Sequence, residues 1–492
     1  MVPTERVTVI ADRPPRAGAT HVLYWMIAAR RTRSSFALDH AVATATRLGL
    51  PLIVLEPLRA GYRWASDRLH RFVLDGMAAN AAAFAAAGIT YHPYVEPKPG
   101  AGRGLLAALA ARAAVVITDV MPGFFVPRMV AAAAARIDAR LEAVDGTGLL
   151  PLAAHGRAFT TAASFRWHWQ KVIGPHLATA PSTAPLARLP AAVKDGAIPA
   201  AVLRRWPAAT PALLAGAGLE RLPIDHAVRP VAYRGGGPAA AATLAGFVAE
   251  RLPRYADERS QPEADAASGL SPYLHFGHLG VHDVFHAVWR DAGWTPARVA
   301  GVRATGTRDG WWGLPPPAEA FMDELLTWRE LGFGFCHHRD DHDQYESLPA
   351  WARASLDAHA GDPRPHRYEV AELEAAATHD PLWNAAQRQL VVEGRIHNYL
   401  RMLWGKKILE WSPSPRAALA ALVELNNKYA VDGRDPNSSS GIFWTLGRFD
   451  RPWAPERPIF GVIRYMSSDN TARKLRVKDY LRRWSAQPQL AL

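Results

Sequence analysis

Between residues 20 and 150 two kinds of apolar pattern alternate along the chain. HVLYWMI, LPLIVLEPL, ITYHPYV and AAVVITDVM are short, nearly continuous apolar runs, the mark of strands covered on both faces. Between and after them, FALDHAVATATRLG, RLHRFVLDGMAANAAAFAAAG, GRGLLAALAARA and PRMVAAAAARIDARLEAVD read as helices. Strand–helix alternation predicts an α/β domain: a doubly wound parallel sheet, Rossmann-like, with helices on both faces. No G-x-G-x-x-G follows the first strand, so the dinucleotide fingerprint is missing. Residues 1–19 read as a flexible extension, 20–177 as the α/β domain and 178–240, rich in Ala, Pro and Gly, as a connector that wraps a domain. From 241 to 492 the pattern is helical.

The densest signal lies at 381–444. Residues 382–392 lack Gly and Pro, Glu393-Gly394 offers a break, and a second helical run from Ile396 to Glu410 stops at Ser412-Pro413. On that second helix His397, Leu400, Arg401, Trp404 and Ile408 share one face. A buried Arg there needs a partner, and Asp432 is the nearest downstream candidate. Spacing alone favours core tryptophans with an Arg that snorkels outward. Further upstream, Glu324 and Trp328 stand i, i+4 on a predicted helix.

Composition narrows the classes. The single cysteine, Cys336, excludes a disulfide framework and a Cys-ligated cluster. No apolar run is long enough for a membrane span, and the start lacks a signal-peptide core. The net charge of +12 favours a polyanionic partner. Its distribution is uneven: residues 1–200 carry +10, 201–400 carry −6 and 401–492 carry +8, so the late excess coincides with the Trp-rich segment. His337-His338 with Asp340, Asp341 and Asp343 reads as a solvated charged loop rather than a metal site. Residues 291–317 form a Gly/Pro/Arg-rich insertion that reads as a disordered linker in preference to a DNA-touching loop.

LWNAAQ, RMLWGKKILEW, LNNKYAVDGRDPN, ERPIFGVIRYM and SGLSPYLHFG together resemble the class II cyclobutane pyrimidine dimer photolyases of the photolyase/cryptochrome flavoprotein family. The likeness is strong over 241–475 and looser over 20–150, where VLYWM, LGLPLIV and VVITD resemble the family's amino-terminal domain. It implies an all-α carboxyl-terminal domain that binds FAD. It also implies light-driven splitting of pyrimidine dimers in DNA by an electron from excited reduced FAD. By the family's spacing of 21 and then 7 residues, Trp404 would lie nearest the flavin, Trp383 in the middle and Trp411 at the surface, with Tyr368 as an extra surface donor. Asn426 would face the redox-active ring nitrogen, and Arg401 with Asp432 would form an ion pair over the ring. Tyr255, Arg259, Ser268, Gly269, Leu270 and Ser271 match the remaining flavin-binding segment, the last four as a diphosphate clamp. The lesion pocket would be lined by Glu324, Trp328, Tyr399, Met402 and Trp444, with Arg451 and Trp453 filling the gap left in the duplex. No metal is implied. In the family the first domain can hold an antenna chromophore, but no residue here matches an antenna site.

Departures from the class II pattern are Asn398 in place of Gly and Ser438-Ser439-Ser440 in place of a Gly-aromatic pair. The expected protein is a monomeric, cytoplasmic, DNA-binding lyase. Two rivals are a photolyase-like light sensor without repair and a cofactor-free helical nucleic-acid-binding module.

Overall fold

The computed structural model describes residues 2–14, 16 and 18–485. Its strands are β1 (Val7–Ala11), β2 (His21–Trp25), β3 (Leu52–Leu58), β4 (Thr90–Val95), β5 (Ala113–Asp119) and β6 (Arg140–Val144). They form one sheet in the order β1-β6-β5-β2-β3-β4. Every pairing is parallel except β1 with β6. β2 and β5 are buried along their whole length, which is why their sequences are continuous apolar runs.

The helices α1 (Phe36–Leu48), α2 (Asp67–Ala86), α3 (Leu105–Ala110) and α4 (Val126–Ala134) accompany the strands. Ser35 and Ser66 cap α1 and α2 by accepting the N–H of Leu38 and Leu69. α1 ends at Gly49, whose φ of 64° terminates the helix in the left-handed region.

Two expectations are corrected. The flexible extension contains β1, which pairs antiparallel with β6 in the register Val7↔Val144 and Thr8↔Ala143. The expected last helix, PRMVAAAAARIDARLEAVD, ends at Ala134, and after a turn the chain continues as β6 from Arg140. An Ala-rich run carries little periodicity, and burial of Leu141, Ala143 and Val144 between neighbouring strands decides the conformation.

The chain divides into two compact units. The first runs to Gly156 and includes Val172–Ala245 and Leu270–Ala300. The second comprises Arg157–Lys171, Gly246–Gly269 and the chain from Gly301 on. The division is therefore not a single cut near 241, because three excursions of the chain interleave the units. The expected connector wraps the first unit: the Trp206 indole donates to the Ala101 carbonyl at 2.9 Å, and the Ser182 N–H to Asp39 at 2.7 Å.

In the second unit, α5 (Pro381–Glu393), α6 (Asn398–Trp411), α7 (Pro415–Tyr429) and α8 (Pro436–Trp444) carry most of the candidate residues. α5, α7 and α8 each begin with Pro after an Asp or Ser cap: Asp380, Ser414 and Asp435. α5 ends at Gly394 with φ 65°, and α6 ends at Ser412. The reading of the insertion as a disordered linker is corrected for 301–317. Trp311 and Trp312 are buried, with ring centres 6.2 and 5.3 Å from that of Trp169. Gln170 accepts the N–H groups of Thr305 and Gly306. The expected plain helix over 320–336 is also interrupted. Asp323–Trp328 is π-helical, with i→i+5 hydrogen bonds, between the helices Pro316–Met322 and Arg329–His338.

Candidate active site

α5 and α6 bring three tryptophans into one file. The rings of Trp404 and Trp383 are parallel to within 3° with centres 6.5 Å apart, and Trp411 lies 5.4 Å from Trp383 at 71°. Tyr368 continues the file, 5.3 Å from Trp411. The Trp383 N–H donates to the Trp404 carbonyl at 3.0 Å, and the Trp404 N–H to Gln387 Oε1 at 2.8 Å. These bonds fix both indoles in a dry interior, where an unpaired N–H would be costly. The surface position expected for Trp411 is corrected. It is 2% exposed, covered by Tyr368 and His379, and the half-buried Tyr368 is the outer member of the file.

Asn426, near the end of α7, is buried and donates its amide to Asn427 Oδ1 and Ser438 Oγ, both at 3.0 Å. Arg401 and Asp432 form the expected ion pair at 3.2 Å. Arg401 Nε is buried with no hydrogen-bond partner among the described residues. An orphaned guanidinium N–H and a neutral buried amide are what a ring system with acceptor atoms would satisfy, so this donor set fits a flavin.

Arg259 is ion-paired to Glu324, and its Cζ lies 5.7 Å from the centre of the Tyr255 ring. Burial pushes the Glu324 carboxyl above its ordinary range, against the pull of Arg259. Burial likewise pushes the Tyr255 phenol up to about 12. His397 accepts no charge here: its Nε2 lies 3.0 Å from the Arg259 carbonyl, and burial lowers it to about 4. Further along, Gly269 has φ 69°, and a short helix begins at Ser271 with Leu270 as its N-cap.

Tyr399, Met402, Trp444 and Trp453 line one cleft of about 350 Å³. Glu324, Trp328 and Arg451 do not line it. Arg451 instead lies 4.1 Å over Trp453. Sequence reasoning missed the cleft's charged wall. Arg464 lies 3.8 Å over Trp453 and 5.7 Å over Trp444. Against the burial that would raise it, Arg464, the Arg451 N–H and the Trp453 indole hold the Asp450 carboxyl below its ordinary range. Gln387 was also missed, although it closes the LWNAAQ motif and stands four residues from Trp383 on the same helix.

Ser438, one of the expected departures, is with Asn427 one of the two residues that hold Asn426. Asn398 is exposed at the start of α6. The charged loop after His338 is tied by Arg339 to Asp341 at 2.6 Å. Among the described residues no group of three His, Cys, Asp or Glu could hold a metal, and no helix is long and apolar enough to cross a membrane.

No family model matches the chain. The deoxyribodipyrimidine photo-lyase of Methanothermobacter thermautotrophicus is 32% identical over 484 residues, 98% of each chain. That of Oryza sativa subsp. japonica is 34% identical, covering 97% of this chain and 89% of its own. That of Potorous tridactylus is 40% identical over 55% of this chain and 47% of its own. Among solved structures, a class III photolyase from Agrobacterium tumefaciens matches with TM-score 0.65 at 18% identity, over 95% of this chain and 87% of its own. A Synechocystis cryptochrome matches with TM-score 0.67 at 16% identity, over 95% and 89%. These last two likenesses concern the fold.

Proposed function

The chain belongs to the photolyase/cryptochrome family, and on that footing we propose that it is a deoxyribodipyrimidine photo-lyase of the class II type, splitting cyclobutane pyrimidine dimers in DNA. The observation that carries the reading is the cleft itself. Four side chains from three segments of the chain, Tyr399 and Met402 on α6, Trp444 at the end of α8 and Trp453 beyond it, line one cavity with indole walls and an arginine on them. Such walls suit flipped, poorly stacked bases. Arg451 and Arg464 supply positive charge for the phosphates on either side.

The residues that would hold FAD are Tyr255, Arg259, Ser268, Gly269, Leu270, Ser271, Arg401, Asn426 and Asp432. When bound and reduced, it supplies the photoexcited electron that opens the dimer. Arg401 supplies positive charge to the ring and Asp432 fixes its orientation. Asn426 offers a neutral amide, where a carboxylate would repel an anionic ring. Trp404, Trp383 and Trp411 form a contiguous path of oxidisable rings, with Tyr368 at its outer end. Glu324, ion-paired to Arg259 and outside the lining of the cleft, would donate to a base carbonyl when protonated and accept from a base N–H when ionised.

The test is an absorption spectrum of the purified protein before and after blue light with a reductant, followed by addition of dimer-containing DNA. The expected result is a flavin spectrum that bleaches and dimers that disappear only in the light. Bleaching without dimer loss would establish the light-sensor reading instead. A colourless, folded protein would favour the cofactor-free nucleic-acid-binding module.

A further inference from the structure

α6 carries two adjacent lysines with different surroundings. Lys407 reaches Glu410, with Nζ 2.8 Å from Oε2. Lys406 is 0% exposed; its Nζ donates to the Thr445 carbonyl at 2.7 Å and lies 4.6 Å from the centre of the Trp444 ring. Gly405 explains the approach. A Cβ there would fall 2.5 Å from Thr445 Oγ1, so α6 runs against the end of α8 and delivers the next side chain beneath Trp444. Asp450, the carboxylate that bears on Lys406, is already engaged by Arg464 at 2.8 and 3.2 Å. The indoles and arginine of the cleft wall, Trp444, Arg464 and Trp453, are therefore sandwiched between two cations that do not line it, Lys406 against Trp444 and Arg451 over Trp453. Lys406 is the fully buried one of the two.

We propose that Lys406 is a positioning residue for the lesion cleft, acting through Trp444, and that its protonation makes dimer binding depend on pH near neutrality. The inference rests on the proposed lesion cleft. A buried ammonium without an ion pair is costly, and burial pushes Lys406 down to about 7, with Asp450 raising it and Arg464 lowering it. In the charged form it pins the indole by a cation–π contact and adds attraction for a polyanion. DNA then favours the charged form, so by linkage affinity for the dimer strengthens as pH falls through this range and weakens as pH rises. Two other groups near the cleft titrate. His359, raised by Glu456 and Asp362, packs against Gly461, and Tyr465, which lines the cleft, is raised by burial above its ordinary value of 10.

The experiment is fluorescence anisotropy in the dark. It uses the full-length flavin-loaded protein and labelled duplexes with and without one thymine dimer, from pH 6 to 9 at fixed ionic strength. The ratio of the two affinities is expected to fall about fivefold across that range in the wild type. It should be low and flat in Lys406→Met, and high and flat in Lys406→Arg. A wild-type slope retained in Lys406→Met would assign the effect to His359 and overturn the proposal. A flat wild-type profile with clear dimer preference would overturn it even if both variants failed to fold. Absence of dimer preference at every pH would instead remove the lesion cleft, and this inference with it.

Discussion

At the scale of single residues, Trp404 and Asn426 offer the sharpest tests. Trp404→Phe keeps an aromatic ring but removes the bond to Gln387 and an oxidisable indole. Photoreduction of the oxidised flavin, followed by transient absorption, should be lost, while repair by chemically pre-reduced protein persists. Retained photoreduction would take Trp404 out of the path. Asn426→Asp places a carboxylate in a buried amide pair with Asn427 and Ser438, and should destabilise the fold by about 1–3 kcal/mol. It should also shift the flavin's reduction to more negative potential, measured by redox titration. The spacing of Trp383, Trp404 and Trp411 and the pairing of Arg401 with Asp432 were both legible in the chain. Arg259 with Glu324 was not, since residues 65 apart meet only once two helices are packed. Lys406 was also hidden, because a Gly-Lys-Lys string on a helix reads as solvated charge.

At the scale of elements, the helix ends at Gly394 and Ser412 were legible and conformational switches were not. Asp380 accepts the N–H groups of Leu382 and Trp383 at 3.0 Å and is bonded by Ser468, so it fixes the first turn of α5 and the indole of Trp383 with it. Asp380→Ala should lower stability by about 1–2 kcal/mol, read by chemical denaturation. An unchanged midpoint would mean that Pro381 alone suffices to start the helix. The π-helical turn Asp323–Trp328 left no trace in composition. It is held from outside, by Arg166 clamping both oxygens of Asp323 at 2.7 and 3.0 Å. β6 was misread for the opposite reason, since an alanine-rich run satisfies a helix pattern locally while the sheet decides.

Over the whole molecule, several histidines are buried in their neutral form. Burial lowers His21, His70 and His397 to about 4 and His278 to about 3. Above pH 6.5 folded and unfolded chains hold the same proton count at these sites, and the fold keeps its full stability. As pH falls from 6.5 toward 4 the unfolded chain takes up protons that the folded one refuses, at about 2 kcal/mol per histidine by pH 5. Thermal melts at pH 7.5 and 5 should therefore differ by several degrees, before the carboxylates titrate. Equal melting temperatures would show these rings to be protonated in place. The pairing of β1 with β6 sets a different kind of demand. Val7 meets Val144, so the first strand leaves the ribosome 137 residues ahead of its partner. At ordinary translation speeds it waits about ten seconds. During that interval a short apolar segment is available to chaperones, and completion of the sheet's far edge is timed by synthesis rather than by chain diffusion.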